Sequence, residues 1–503
     1  MKKEAYLIVD IGTGNVRVAL TETSGRVVEI ARGDVHYITD PVQVDALHFN
    51  PDELWQQIIV LAKQVLSATP SYSVKAITAS SQREGVVLLD KEGNGLIGMP
   101  NHDHRGRSSE HLLSLAEKQA IYRKAGRYPS SLFSAFKLIG IRREKPEIFK
   151  KTACMISISD WAQYQLSGVL GYEHAQASET LLYDVGQQRW SEELCKLCRI
   201  DPALLPPLHL SGTILGPLRT ELASRWNLDP ATPVIVGGAD TQLALKSTQP
   251  ALGDIALVAG TTTPIVMVTD HFITDKDFRT WTNRHVEYDR FVLEANAGVT
   301  GLNYQRLKDI FYPNESYSVI EAELQALEKQ RSTPTASSDE RIAASVTASL
   351  GSLVAQEQHP LTTGGFIFNV PVGSGLSRAQ FVWAALWDIA CCIKENYDVL
   401  CSVTPYTKDY VWGCSGGMQS KILRQFTANL IGKEIRMRTN HTQASVIGGA
   451  IICAQTMGDI GYIESATEST IADPVAGPAT TAHYRQWRAV RSKLQDAYLP
   501  CQS

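Results

Sequence analysis

The chain has 503 residues, enough for two to four domains, and its 44% hydrophobic and 20% charged residues, with 36 Gly and 22 Pro, sit near the average for folded proteins. Such numbers argue against extensive disorder and against a single small binding module. The 48 Lys and Arg against 52 Asp and Glu leave a net charge of -4, so no long-range attraction draws nucleic acid or an anionic membrane.

Along the chain, Tyr6–Asp10, Val16–Leu20 and Val27–Ile30 alternate with Gly-bearing turns and predict an antiparallel meander. Asn50-Pro51-Asp52-Glu53 is a helix start, and apolar residues at helical spacing follow from Leu54 to Ser67. Val74–Ser80 then reads as a fourth strand, which completes an α/β unit. The same strand, Gly-Thr turn and strand recur over Ile255–Val268, and Asp409–Gly413 runs into Ser415-Gly416-Gly417 as the strand at Ile77 runs into Ser80-Ser81-Gln82. Two related α/β lobes are therefore expected, 1–246 and 247–503. Residues 314–365, rich in Ser, Thr, Glu and Gln, read as a surface excursion of the second lobe. The run of apolar residues between Glu4 and Asp10 is only five long, too short for a signal peptide, and Val446–Met457 is too short to span a membrane. Nine Cys without framework spacing fit reduced thiols in the cytoplasm, and Cys195 with Cys198 reads as a structural pair on a helix rather than a metal site.

Chemistry concentrates at the strand ends. In Asp10-Ile-Gly12-Thr13-Gly14-Asn15-Val-Arg17 a turn can offer backbone N–H groups to a phosphate oxygen while the carboxylate holds a hydrated magnesium ion. Alone, the turn is as compatible with an ordinary hairpin; the second one, Gly260-Thr261-Thr262, suggests paired grips on a triphosphate. Ser415-Gly416-Gly417-Met418-Gln419-Ser420 follows a strand and precedes a helix, where a glycine pair lets a flat base approach the backbone. Asp240, where a buried strand meets a helix, is either a helix cap or a general base for an attacking hydroxyl. Gln82, Arg83, Glu84, Asp103 and Gln242 supply planar donors and acceptors suited to a small polyhydroxylated substrate, against the simpler reading of solvated surface charge.

Taken in order, these motifs resemble the FGGY carbohydrate kinases, which include glycerol, xylulose, gluconate and autoinducer-2 kinases. The resemblance runs from Asp10 to about Ala454 and includes Ile158-Ser-Asp160-Trp-Ala-Gln-Tyr-Gln-Leu-Ser-Gly168. It implies an α/β protein with two ribonuclease-H-like lobes of the actin-like ATPase fold and a nucleotide cleft between them. It also implies ATP with Mg2+ held by Asp10 and Asp240, phosphates at Gly12, Thr13, Gly14, Asn15, Arg17, Gly260, Thr261 and Thr262, and adenosine at Ser415, Gly416, Gly417, Met418, Ser420 and Ala444–Ala450. Asp240 would be the base, acting on a terminal hydroxyl of a xylulose-like ketose or an autoinducer-2-like open-chain substrate. The partner is a small sugar or polyol, and a homodimer is left open. Asn15 stands where the family usually has Ser, Gly140 where it has Trp and Gln443 where Glu is common, and Gly365–Arg378 is shorter than usual. The rival from another class is an actin-like or chaperone-like ATP-driven protein without a sugar substrate.

Overall fold

The computed structural model describes residues 2–41, 43–331, 346–357, 360–371, 376–439, 441–459, 469–475 and 477–497. They fall into two compact units, one within Met1–Leu252, Val268–Leu293 and Gln443–Thr467, the other within Gly253–Met267, Glu294–Thr442 and Glu468–Ser503. Part of the 314–365 excursion and part of the short 365–378 stretch lie outside the described residues.

In the first unit, β1 (Lys3–Ile11), β2 (Asn15–Glu22) and β3 (Val27–Asp34) form the expected meander. Helix α1 (Pro51–Ala68) follows, capped by the Asn50 side chain accepting from the Asp52 N–H, and leads into β4 (Tyr72–Ser81). A small sheet of β5 (Val86–Leu89), β6 (Gly95–Met99) and, later in the chain, β7 (Cys154–Ser157) flanks helix α2 (Ser134–Glu144) and precedes helix α3 (Ile158–Ser167). Then come β8 (Ile214–Pro217), β9 (Pro233–Ala239) and helix α4 (Asp240–Ser247). The main sheet has the order β8-β9-β4-β1-β2-β3, with β1, β4 and β9 parallel and the remaining pairs antiparallel.

The second unit repeats this plan with β10 (Ile255–Val258), β11 (Thr262–Thr269), β12 (Phe291–Val299), helix α5 (Arg378–Val403), β13 (Tyr410–Cys414), helix α6 (Lys421–Ile431) and β14 (Glu434–Arg438). β15 (Ser469–Ala472) closes the sheet, while helix α7 (Ala444–Met457), which lies between β14 and β15 in the chain, belongs to the first unit. The seven-stranded sheet runs from an edge strand Trp281–Arg284 through β12-β11-β10-β13-β14-β15, again with a parallel trio, here β10, β13 and β14. The repeat suspected from the two Gly-Thr turns is thus a repeat of topology.

Alternation along β1 explains the core of the first unit, since successive side chains of a strand face opposite ways. Leu7, Val9 and Ile11 bury against α1 and α3 through Ile58, Ala62, Trp161 and Leu166. Tyr6 and Ile8 face α7, packing with Leu243, Val446, Ala450 and Ile451. Helix α7 is apolar all round because it is buried, not because it crosses a bilayer; among the described residues no helix is long and apolar enough to do so. Cys195 and Cys198 are buried free thiols on the helix Glu192–Cys198, as expected.

Candidate active site

Asp10 ends β1 opposite Arg17 of β2 and is buried. Its Oδ2 accepts from the Arg17 guanidinium and, at 2.9 Å, from the Ser445 hydroxyl, whereas its Oδ1 is buried with no hydrogen-bond partner. Arg17 also donates to Gln443 Oε1 at 2.9 Å. Gln443, one of the departures from the family pattern, thereby steers Arg17 onto Asp10. Asp10 itself carries one open, buried carboxylate oxygen. Magnesium keeps most of its waters and needs one or two carboxylates, so this oxygen beside Asp240 fits it; the described residues contain no cluster of three or more His, Cys, Asp or Glu side chains able to hold a metal ion.

Asp240 is the first residue of α4. Its Oδ1 accepts the Thr241 N–H at 2.6 Å and the Thr241 hydroxyl at 3.2 Å. The helix N-cap falls at Ala239 with no side-chain cap bond, so Asp240 does not cap the helix; one of its oxygens is held by Thr241 and the other has no hydrogen-bond partner among the described residues. Burial, then the neighbouring Asp10 carboxylate, push the Asp240 pKa up to about 7, against the pull of Arg83 and the Thr241 N–H. A carboxylate poised there is matched to proton transfer near neutral pH.

Arg83 and Glu84 are buried, 6% and 5% exposed, which removes the solvated-surface reading. Their nearest charged atoms are 3.9 Å apart, and Arg83 lies 3.7 Å from Glu179, which also pairs with Arg127 at 2.5 Å. Glu84 has φ of 59°, a conformation costly for a non-glycine residue and concentrated at functional sites. Asp103 is occupied: its Oδ1 accepts the Leu47 N–H at 2.7 Å and its Oδ2 accepts from Arg105 at 2.8 Å, so it holds the loop instead of offering an open acceptor. Gln82 is likewise engaged at both ends, donating to the Gly12 carbonyl at 3.3 Å and accepting the Asn101 N–H at 2.9 Å. Gln242 is the opposite case, fully buried with neither end of its amide paired. Such an amide costs free energy unless a ligand completes it.

The turn Gly12–Asn15 closes with the Gly12 N–H donating to the Asn15 carbonyl at 2.9 Å, and Gly14 is exposed. Tyr37, which the sequence did not single out, donates to the Thr13 carbonyl at 2.6 Å. In the second unit, Gly260 and Thr261 are exposed, and the Gly417 N–H donates to the Ala259 carbonyl at 2.7 Å. The Gly-Thr turn and the Ser415–Gly417 turn thus adjoin. A Cβ on Gly417 would sit 2.9 Å from that carbonyl, which is why glycine stands there. Ser415 has φ of 74°, a strained value for serine. Met418 is buried below the turn, and the Ser420 hydroxyl caps α6 by accepting the Leu423 N–H at 3.2 Å.

Two α/β units of one topology, with acidic groups at the strand ends of the first, define the actin-like ATPase fold. A crystal structure of xylulose kinase from Lactobacillus acidophilus has that fold, superposing with a TM-score of 0.82 over 99% of each chain at 18% identity. Residues 5–246 match the N-terminal domain of the FGGY family of carbohydrate kinases. The sugar kinase homologue YoaC of Bacillus subtilis is 44% identical over 97% of this chain and 96% of its own. Autoinducer-2 kinase of Salmonella typhimurium is 28% identical over 62% of this chain and 60% of its own length. The chain belongs to the FGGY family and is a carbohydrate kinase.

Proposed function

We propose that the protein transfers the γ-phosphoryl group of ATP to a terminal hydroxyl of a small open-chain sugar or polyol, xylulose-like or autoinducer-2-like. The observation that carries this reading is Asp240, with one open oxygen and a pKa held near 7 by burial and Asp10. In the reaction, Asp240 accepts the proton of the attacking hydroxyl as its oxygen bonds to the γ-phosphorus and the bond from that phosphorus to the β,γ-bridging oxygen breaks, releasing ADP. Arg83, Glu84 and Gln242 pair the substrate's hydroxyls, Gln82 and Asp103 hold the loops that present them, and water is kept from the reacting group by the burial of these residues. Gly12–Asn15 with Arg17 are proposed for the phosphates, as are Gly260, Thr261 and Thr262. Ser415, Gly416 and Gly417 are proposed for the adenosine, with Met418 and Ser420 as the floor and cap of their turn. When bound, Mg2+ would lie at Asp10 and Asp240 and neutralise phosphate charge.

The test is ADP release against a panel of polyols, ketoses and aldonates, followed by Asp240→Asn with the best substrate. Turnover should fall ~10²–10⁴-fold with ATP affinity within a few-fold. Near-wild-type turnover in a folded variant removes Asp240 from the mechanism, and ATP hydrolysis indifferent to every sugar favours the ATP-driven rival.

A further inference from the structure

We propose that Lys137 is a positioning residue that ties the loop after β6 to the Gly12–Asn15 turn, so that the sugar-presenting and phosphate-holding segments behave as one hydrogen-bonded piece. The inference rests on the roles proposed above for those two segments.

Lys137 lies in the first half of α2 and is fully buried. Its ammonium donates to the carbonyl of Asn101 at 2.9 Å and to the carbonyl of Asp103 at 2.6 Å, pinning both sides of the loop. Asn101 passes the constraint on. Its N–H donates to Gln82 Oε1 at 2.9 Å and its side-chain amide donates to the Thr13 hydroxyl at 3.0 Å. Gln82 then donates to the Gly12 carbonyl, and its own N–H donates to the Ile11 carbonyl at 2.8 Å. A path of hydrogen bonds therefore runs from one side chain on α2, through Asn101, to both residues at the front of the phosphate turn.

Close packing makes this reach possible. A Cβ on Gly106 would stand 2.1 Å from the Phe136 carbonyl, and one on Gly140 would stand 2.5 Å from the Arg105 side chain. Glycine at both places lets α2 lie against the loop, which gives Gly140 a purpose where the family usually carries Trp. A buried ammonium is costly, and an apolar side chain of similar volume would pack without that cost. Stability alone therefore does not explain a lysine; charge-assisted bonds that fix two carbonyls do.

The groups facing the ammonium are Asp103, Glu84 and Arg105, and the rings of His102 and His104 also feel its charge. Burial lowers the Lys137 pKa to about 8, offset in part by Asp103 and Glu84. The folded state therefore favours the neutral amine above that pH, and an amine still has two N–H groups for the two carbonyls.

Amide hydrogen exchange on the full chain without ligands tests the tether directly. Lys137→Met should speed exchange about tenfold or more both at 99–103 and at 11–15, with β8 as an unaffected reference. Asn101→Ala should loosen 11–15 while leaving α2 protected, and serves also if the lysine variant fails to fold. Unchanged exchange at 11–15 in these variants overturns the proposal. In kinetics, Lys137→Met should lower kcat at least tenfold while the sugar KM stays within a few-fold, and Lys137→Arg, which keeps donors for both carbonyls, should recover part of that loss. A Lys137→Met variant that melts earlier but keeps the wild-type kcat shows a merely structural lysine and overturns the positioning role. Should no sugar stimulate ADP release at all, the functional reading fails while the exchange result still decides the tether.

Discussion

Gly448→Ala is the most informative single perturbation of the catalytic helix. Gly448 lies on α7, and a Cβ there would sit 1.9 Å from the Leu243 carbonyl oxygen, 2.5 Å from its carbon and 2.8 Å from its Cα. All three are backbone atoms of α4, the helix that begins at Asp240, so no side-chain rotation relieves the clash. Restoring an ordinary contact requires the two helices to separate by about 1.5 Å, and overpacking of this kind costs about 1–3 kcal/mol. A displacement of that size in a catalytic group costs on the order of 10²-fold in rate. The neighbouring Gly449→Ala is the control: its Cβ would meet only methyl groups, Ile8 Cγ2 at 3.1 Å and Thr78 Cγ2 at 3.3 Å, which can give way. Gly448→Ala should therefore lower kcat on the order of 10²-fold and Tm by roughly 5 °C, while Gly449→Ala stays near wild type in both. ADP-release kinetics and a thermal melt read the two effects. If the two variants behave alike, the helix contact does not position Asp240.

Glu84→Ala should cost about 2–4 kcal/mol in kcat/KM for the sugar, because it strands Arg83 and the substrate hydroxyls, while ATP affinity by calorimetry hardly moves; unchanged sugar kinetics for both Glu84→Ala and Arg83→Ala would place the pocket elsewhere. The base works ionised and its pKa is raised to about 7, so kcat/KM should climb tenfold per pH unit below about 7 and level off above, and a profile flat down to pH 5 refutes the assignment. The same raised pKa means that the folded state holds the Asp240 proton more tightly than the unfolded chain, so stability falls as pH rises from about 4 to 7. Asp240→Asn keeps an acceptor for the Thr241 N–H and removes that loss, so it should melt higher than wild type at pH 8 and equal to it near pH 4.

The meanders and Gly-Thr turns were legible because tight turns need particular residues and buried strands need apolar runs, both local properties. The helix at Pro51 was legible down to its Asn50 cap for the same reason. Local reading could identify Asp240 but could not give its environment, since Asp10 comes from β1 and Arg83 from the bend after β4. It also overrated open acceptors: Asp103 and Gln82 look like ligand groups in sequence, and only the fold shows their atoms already engaged. Tyr37 escaped notice because an isolated polar residue carries no periodic signal; Ser445 was read with Ala444–Ala450 as an adenosine contact, and only the fold shows its hydroxyl on Asp10, while the role of Lys137 depends on carbonyls that the sequence does not bring near it.

The assembly of the first unit from separated stretches has a consequence for biosynthesis. Leu243 and Gly448, which meet through their backbones, are about 200 residues apart in the chain. At ribosomal speeds of 5–20 residues per second, α4 waits roughly 10–40 s for its covering helix to be made. During that interval Tyr6, Ile8 and Ala76 of the sheet, with Leu243 of α4, form an apolar face that nothing from α7 yet shields. Nascent chains should accordingly be prone to aggregation and responsive to holding chaperones until α7 emerges, and a chain ending before Ala444 would carry that liability permanently.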